Sequence, residues 1–366
     1  MHAPTRALGL ALLVTACVCA TVAVASSRSF PPPGRIVYSS PTGPPGSNSY
    51  SLFTAATDGR GARQTTSNPS GEDWAPRWSP DGRQVAFTRG ALNPMHSSVW
   101  VVNADGTNAH RVSGKLTYAG YPKWSPDGRW IAFQHQTSYD DLGSPENTSY
   151  ELWRVRPSGS DLRWLDAGSS FTSDVRFIMW GNGWAWSPDS KQIVFGGANE
   201  SSDPDHPTIN VLELASGRKR RLTTGSYPVW SPDGTRIAFV ENCRISLVSA
   251  KGGKRTAITP RPQHGACLAD LGWSPDGRWI AAIDTEGIEF LRFVARPDGK
   301  QPIRAPRIWP TAVHWPDDCK RLFFYQTPDP STPGLAGWIV PGPRGLPRFA
   351  GVPPRTKTSS QIDWRC

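Results

Sequence analysis

The feature of this chain that most restricts its fold is a ten-residue motif that occurs six times. The first copy reads WSPDGRQVAF, and the copies begin at Trp78, Trp124, Trp186, Trp230, Trp273 and Trp315. The third residue after each of these tryptophans is an aspartate: Asp81, Asp127, Asp189, Asp233, Asp276 and Asp318. An internal repeat indicates a fold built from copies of one supersecondary unit. A catalytic motif is normally needed once, so we expect the repeat to specify architecture.

Each copy predicts two strands joined by a tight turn. The seventh residue after Trp is aliphatic in all six copies, and the ninth is Phe in five copies and Ala282 in the other. Residues two apart lie on one face of a strand. In Ser-Pro-Asp-Gly, Pro sets φ, Asp can accept a backbone N–H, and Gly can adopt positive φ. Ser190 and Cys319 replace this Gly, which predicts less regular hairpins at those two turns.

A second turn follows in every unit and predicts two more strands. These turns end at Gly59, Gly106, Gly159, Gly217, Gly253 and Gly299. An apolar residue stands six positions before each of these glycines, as at Phe53 and Trp100. Four antiparallel strands in a unit of about 40–60 residues are typical of a β-propeller blade.

The W-S-P-D-G-x-x-I-A-F unit followed by a D-G turn resembles the TolB-like, WD40-like β-propeller repeat family, across residues 34–366. Two half-units stand at the ends: GRIVYSS at 34–40 and SSQIDWRC at 359–366, with Trp364 as a seventh repeat Trp. We therefore predict an all-β fold, a single β-propeller of four-stranded antiparallel blades. Seven blades are expected, with six as the alternative that the resemblance to TolB implies. The N- and C-terminal strands would share one blade and close the ring, which leaves no exposed edge blade.

The N-terminal segment differs from the rest of the chain. Residues 7–16 are apolar, and Ala-Val-Ala at 23–25 is a small-x-small cleavage signal, so residues 1–25 are interpreted as a secretory signal peptide. Residues 26–33 would be a short Pro-rich lead-in, and 34–366 the propeller. A lipobox ending at Cys17 and a membrane anchor are the alternatives. The expected location is exported: periplasmic, at the cell surface or secreted, with membrane attachment only if Cys17 is lipidated.

Cysteine content supports an exported protein. Four cysteines remain outside the signal, and an even number in an exported chain favours disulfides. The expected pairs are Cys243–Cys267 and Cys319–Cys366, the second of which would fasten the closing strand. A zinc site is the alternative, but the four have no C-x-x-C spacing. We expect no cofactor and no bound metal.

The chain is basic, with a formal net charge of +10. Its densest basic run is RKRR at 218–221. No nucleic-acid module or aromatic-interleaved basic stretch accompanies this run, so a solvated strand edge is favoured over nucleic-acid binding. A monomer is expected.

Function is expected on the end of the ring that carries the long loops, because binding residues concentrate in loops on a rigid scaffold. These loops span 39–50, 88–98, 135–150, 166–184, 197–208, 259–271 and 325–337. The candidate residues at the mouth of the central channel are Asp73, Trp74, Tyr121, Trp184, Tyr227, Asp270 and Asp363. Carboxylates among aromatic rings suit a carbohydrate or a basic peptide. Two acidic loops could bind calcium, but neither has an EF-hand spacing, and solvated turns are favoured: Asp140, Asp141 and Glu146 in one, and Asp203, Asp205 and His206 in the other.

The motifs that the sequence lacks guide the functional expectation. It contains no G-x-S-x-G, no H-E-x-x-H and no phosphate-binding glycine loop, so the peptidase domain that accompanies some similar propellers is expected to be missing. The expected function is an exported, non-enzymatic binding or scaffold propeller for a cell-envelope or extracellular protein, or for an envelope polymer such as a carbohydrate. The alternative is a carbohydrate-active enzyme, such as a polysaccharide lyase, acting at the channel mouth. Its histidine would come from His135, His206, His264 or His314.

Overall fold

A computed structural model of the chain describes residues 34–42, 49–56, 60–69, 71–91, 96–137, 150–165, 183–197, 207–260, 267–284 and 291–299, together with six later strands. Within these residues the secondary structure consists of strands and turns, with no α-helix. The signal segment 1–25, the lead-in 26–33 and part of each long loop lie outside the described residues, as do Cys17, Cys319 and Cys366.

The strands occur in groups of four that we call sets. The first set begins with β1 (Arg35–Pro41), β2 (Tyr50–Ala56) and β3 (Arg63–Gln64). The second set is β4 (Gly71–Trp78), β5 (Gln84–Ala91), β6 (Ser98–Asn103) and β7 (His110–Arg111). The third is β8 (Ala119–Trp124), β9 (Ile131–Gln136), β10 (Tyr150–Val155) and β11 (Arg163–Leu165). The fourth is β12 (Trp184–Trp186), β13 (Gln192–Gly197), β14 (Thr208–Glu213) and β15 (Lys219–Thr224).

Three further sets follow. The fifth is β16 (Ser226–Trp230), β17 (Arg236–Glu241), β18 (Arg244–Ser249) and β19 (Thr256–Ala257). The sixth is β20 (Leu268–Trp273), β21 (Ile280–Asp284), β22 (Leu291–Ala295) and β23 (Ile303–Arg304). The seventh is β24 (Ala312–His314), β25 (Leu322–Gln326), β26 (Leu335–Ile339) and β27 (Pro347–Ala350). The last strand, β28 (Ile362–Arg365), pairs antiparallel with β1 and completes the first set, with Trp364 opposite Ile36.

Pairing within every set is antiparallel, and in the second to seventh sets it runs in chain order from the first strand to the fourth. In the first set the order is β28, β1, β2 and β3, so β28 holds the position of the first strand. The first and second sets are joined in one sheet by a single parallel bridge between Tyr50 and Glu72. The prediction of an all-β chain made of four-stranded antiparallel sheets is therefore confirmed.

The Ser-Pro-Asp-Gly turns form as the residue types predict. In the first turn the Ser79 hydroxyl donates to Asp81 Oδ1 at 2.6 Å, the Arg83 N–H donates to the same oxygen at 3.0 Å, and Gly82 has a φ of 68°. The less regular hairpin predicted at Ser190 is wrong. Ser190 adopts the left-handed conformation with a φ of 62°, and its N–H donates to Ser187 O as the glycines do in the other turns. A serine tolerates this conformation at a cost in strain.

The core lies between neighbouring sets, and the five repeat tryptophans that the structure describes are buried in it. One cluster combines Val101 of the second set with Trp124 and Phe133 of the third. The indole N–H of Trp124 donates to Arg77 O at 3.0 Å, and that of Trp186 donates to Lys123 O at 3.1 Å. Each of these tryptophans therefore joins its own set to the preceding one by packing and by a hydrogen bond.

Two further observations concern the cysteines and the search for membrane-spanning helices. Cys243 and Cys267 form a disulfide, which links the β17–β18 turn to the residue before β20. The described residues include no helix that is long and apolar enough to span a bilayer.

Candidate functional site

The first strand of three sets is interrupted at the same repeat position. Ala75, Tyr121 and Tyr227 have φ values of 50°, 55° and 51°, and each stands three residues before a repeat Trp. The strand register shifts at each of these sites. A proline follows each residue, and proline disfavours helical backbone in its predecessor, so this left-handed conformation is strained. Such interruptions bend a strand and redirect its side chains.

Two of the candidate residues meet at these interruptions. The rings of Trp74 and Tyr121 contact edge to face, with centroids 4.8 Å apart at an interplanar angle of 75°. The Tyr121 N–H donates to Thr88 Oγ1 at 3.0 Å. Gly120 permits this approach, because a Cβ there would lie 3.2 Å from Thr88 Cγ2. Both rings are half-buried, so they keep a surface for a ligand.

Burial disfavours the charged forms of the ionisable groups beside these rings. Burial raises the pKa of the Tyr121 phenol, and the nearby Tyr150 raises it further. Burial also raises the pKa of Glu72, which lies on the same face of β4 as Trp74. We call Glu72, Trp74, Tyr121 and Tyr150 the Trp74 cluster. It combines one carboxyl group with three aromatic rings.

Asp73 does not face a ligand, because its carboxylate is engaged within the protein. The side chain is fully buried, and Arg89 Nε and Nη2 each donate to one of its oxygens at 2.7 Å. Asn68 Nδ2 donates to the same carboxylate at 3.1 Å. The Arg89 guanidinium lies 4.7 Å from the ring centroid of Trp100. This bidentate pair holds β4 to β5.

The other candidates are dispersed. Trp184 is 2% exposed, and Lys123 Nζ lies 4.5 Å from its ring centroid and 2.6 Å from its carbonyl oxygen. Tyr227 is buried in the core between the fifth and sixth sets. Asp270 lies in β20 and Asp363 in β28, and their side chains are outside the described part of the chain. The structure therefore brings together Trp74 and Tyr121.

A histidine–carboxylate pair was not predicted from the sequence as a group. His135 Nδ1 lies 3.2 Å from Glu151 Oε2, and the Trp153 indole N–H donates to the same oxygen at 2.8 Å. His135 and Arg89 occupy the same repeat position, eleven residues after a repeat Trp. Comparison of the copies at this position could have singled out His135 as one member of the pair with Glu151. A carboxylate at Nδ1 orients an imidazole so that Nε2 can accept a proton. No group of three or more potential metal ligands occurs among the described residues.

Comparison with known proteins found no matching family model. Dipeptidyl-peptidase 5 of Porphyromonas gingivalis is 25% identical over 275 residues, which is 63% of this chain and 39% of that protein. The Tol-Pal system protein TolB of Zymomonas mobilis is 38% identical over 60 residues, 16% of this chain and 13% of that protein. The chain thus spans well under half the length of these relatives.

Solved structures show the same fold. TolB from Acinetobacter baumannii superposes with a TM-score of 0.51 at 17% identity, over 92% of this chain and 68% of that one. A puromycin hydrolase S511A mutant gives 0.62 at 16% identity, over 88% and 52%. The uncomplexed acylaminoacyl peptidase of Pyrococcus horikoshii gives 0.58 at 16% identity, over 87% and 51%.

These likenesses correct the functional expectation. The expectation of a non-enzymatic scaffold is wrong, and so is the carbohydrate-active alternative, because a relative that matches 63% of this chain is a dipeptidyl-peptidase. The repeat motif could not distinguish a binding protein from a peptidase, since the same fold occurs in TolB and in the peptidases. The repeat motif, the four-stranded sheets and these likenesses together show that the chain resembles the TolB-like β-propeller repeat family.

Proposed function

We propose that this protein acts in peptide hydrolysis, as the propeller part of a peptidase, and that it receives a peptide at the Trp74 cluster. The observation that carries the proposal is the 275-residue similarity to dipeptidyl-peptidase 5. It covers 63% of this chain, far more than one repeat unit.

The chemistry of the Trp74 cluster supports a peptide ligand. Exposed faces of Trp74 and Tyr121 can bury apolar side chains, and aromatic residues contribute most of the contact area in many binding sites. A carboxylate that is partly removed from water, as at Glu72, is stabilised by a cation such as the terminal ammonium of a peptide. An anionic group beside aromatic rings therefore favours the amino-terminal end of a peptide.

The pair of His135 and Glu151 is the group in the described structure that is arranged for proton transfer. We propose His135 as the general base if cleavage takes place on this chain, with Glu151 holding the imidazole. A general base contributes roughly 10²–10⁴-fold to a rate, so a His135→Gln variant separates this role from a binding role.

We also propose that the seven sets are seven blades of one closed ring. The antiparallel pairing of β28 with β1 supports this arrangement. So do the contacts between first strands, which run in order through β12, β16, β20, β24, β28, β4 and β8. The hydrogen bond from Trp186 to Lys123 O links the third set to the fourth. If strands from both ends of the chain pair in one blade, the ring has no exposed edge blade.

An exported location is part of the proposal. The disulfide between Cys243 and Cys267 supports it, because such bonds persist in oxidising compartments. The secretory-type residues 1–25 support it as well. We propose an envelope or extracellular protein as a partner, with the propeller itself monomeric.

The experiment is incubation of the purified full chain with a set of short unstructured peptides, followed by mass spectrometry of the products. We expect cleavage, and in His135→Gln a rate at least about 100-fold lower. Saturable peptide binding without cleavage would support the receiving role and reject His135 as a base. The absence of both cleavage and binding would contradict the proposal.

A further inference from the structure

A basic cavity lies at the end of the sheets that carries the Ser-Pro-Asp-Gly turns, apart from the Trp74 cluster. Its volume is about 430 Å³, within the range of roughly 300–1,000 Å³ that small-molecule sites occupy. The described residues that line it include three arginines and no acid: Arg35, Thr54, Ala55, Ala56, Arg60, Gly61 and Arg63.

Strand register places these arginines together. Arg35 lies opposite Ala56, and Arg63 lies opposite Thr54, in the antiparallel pairs of the first set. Directly opposed residues share a face of a sheet, as do Thr54 and Ala56, which are two apart. Arg35 and Arg63 therefore project from the same face, towards the second set.

Two of the guanidinium groups are held in place by the protein. Arg63 Nη2 donates to Ala104 O at 2.7 Å, and Arg35 Nη2 donates to the same oxygen at 3.4 Å. Arg63 Nε also contacts Thr54 Oγ1 at 3.4 Å. The Arg35 guanidinium lies 4.8 Å from the ring centroid of Trp78. A guanidinium has five N–H donors, so Arg63 keeps donors for a ligand after these contacts.

The backbone beside the cavity leaves room for a ligand. Gly61 has a φ of 64°, and no atom of the described residues lies within 4 Å of where its Cβ would be. The turn is closed by the Ala56 N–H, which donates to Arg60 O at 2.9 Å. Hydrogen bonds from the Thr107 hydroxyl and backbone N–H lower the pKa of Asp105, and the charge of Arg63 lowers it a little further, but Asp105 is not among the described residues that line the cavity.

We propose that this cavity is a binding site for a tetrahedral oxyanion, a phosphate or a phosphate monoester. Planar guanidinium groups match the oxygens of such anions in paired hydrogen bonds, and pre-positioning lowers the entropic cost of binding. The site goes beyond the proposed peptidase function and does not depend on it.

The test is isothermal titration of the full chain with inorganic phosphate at constant ionic strength. We expect saturable binding that is at least about tenfold weaker in Arg63→Gln, since a hydrogen bond to a charged group contributes roughly that factor or more. Arg60→Gln provides a second variant, on an exposed turn, with the same expected direction. Arg218→Gln is the matched control, because this exposed arginine lies on a turn of the fourth set.

Titration with glycerol phosphate distinguishes a site for free phosphate from a site for a phosphate monoester. Binding at least as tight as that of inorganic phosphate assigns the site to a phosphate monoester, and weaker binding assigns it to free phosphate. The proposal is overturned if phosphate does not saturate the protein. It is also overturned if Arg218→Gln weakens binding as much as Arg63→Gln, because net charge would then explain the effect.

Discussion

At the scale of single residues, Asp73 shows how one strand register decides the role of a side chain. The sequence places an aspartate before a tryptophan at the start of a strand, which suits a ligand-binding carboxylate. The structure places Asp73 opposite Arg89, and the two form a buried bidentate pair. Nothing in the sequence separates these roles, because the pairing depends on how β4 aligns with β5.

Replacing Asp73 with Asn should be strongly destabilising. The change leaves the Arg89 charge without its partner in a buried site, which typically costs about 3–5 kcal/mol. Asp105→Asn is the control, because Asp105 lies on an exposed turn, where a substitution costs about 0.5 kcal/mol or less. Urea denaturation measures both free energies of unfolding. Equal small losses would show that the pair does not stabilise the fold.

The turn aspartates should make stability depend on acid pH. The Ser231 hydroxyl, followed by the Thr235 backbone N–H, lowers the pKa of Asp233. A carboxylate with a lowered pKa stabilises the fold above its unfolded pKa of about 3.9, and this contribution is lost as pH falls through the folded pKa. Asp233→Asn should therefore lose less stability than the wild type between about pH 5 and pH 2. Parallel denaturation curves over that range would refute this assignment.

At the scale of elements, the repeat motif specifies the hairpin and the tryptophan that packs between sets. The turn hydrogen bonds and the strand order follow from residue types that recur at fixed spacing. The expectation of a less regular hairpin at Ser190 failed for a physical reason. The hydrogen bonds of the turn hold Ser190 in a left-handed conformation that serine rarely adopts. The interruptions at Tyr121 and Tyr227 were not predictable either, since proline normally favours an extended predecessor.

Two tryptophans allow the hydrogen bond between sets to be measured apart from packing. The Trp186 indole N–H donates to Lys123 O, whereas the buried indole nitrogen of Trp230 has no hydrogen-bond partner among the described residues. Both side chains are 7% exposed, so replacement by Phe removes similar packing from each. Trp186→Phe should cost about 0.5–1.5 kcal/mol more than Trp230→Phe. Thermal unfolding of the two variants gives this difference, and equal costs would mean that the hydrogen bond contributes nothing.

At the scale of the whole molecule, the sequence predicted the four-stranded sheets but misjudged the function. Half-units at the two ends indicated a shared set, and β28 does pair with β1. The same fold occurs in TolB and in peptidases, so the repeat that specifies this fold carries no information on activity. The long loops that would distinguish the two classes follow no repeat pattern, and most of their residues lie outside the described structure.

Removal of residues 359–366 tests the closed ring. Without β28 the first set loses the strand next to β1, and β4 and β24 lose a neighbour. We expect the melting temperature to fall by about 5 °C or more. A loss of one kcal/mol in the free energy of unfolding corresponds to roughly 2–4 °C in a domain of about 150–250 residues. Removal of residues 26–33, which precede β1, is the control and should change it little. Equal melting temperatures for all three proteins would contradict ring closure by β28.

The central claim is that a peptide binds at the Trp74 cluster, and equilibrium binding of a fluorescent peptide tests it most directly. Fluorescence polarisation would compare the full chain with Tyr121→Ala, Trp74→Ala and the control Trp164→Ala, since Trp164 is 50% exposed on the fourth strand of the third set. We predict that loss of either cluster ring weakens binding about tenfold or more, as expected for an aromatic anchor, and that the control leaves it unchanged. Equal affinity in all four proteins, or no binding by any, would contradict the account.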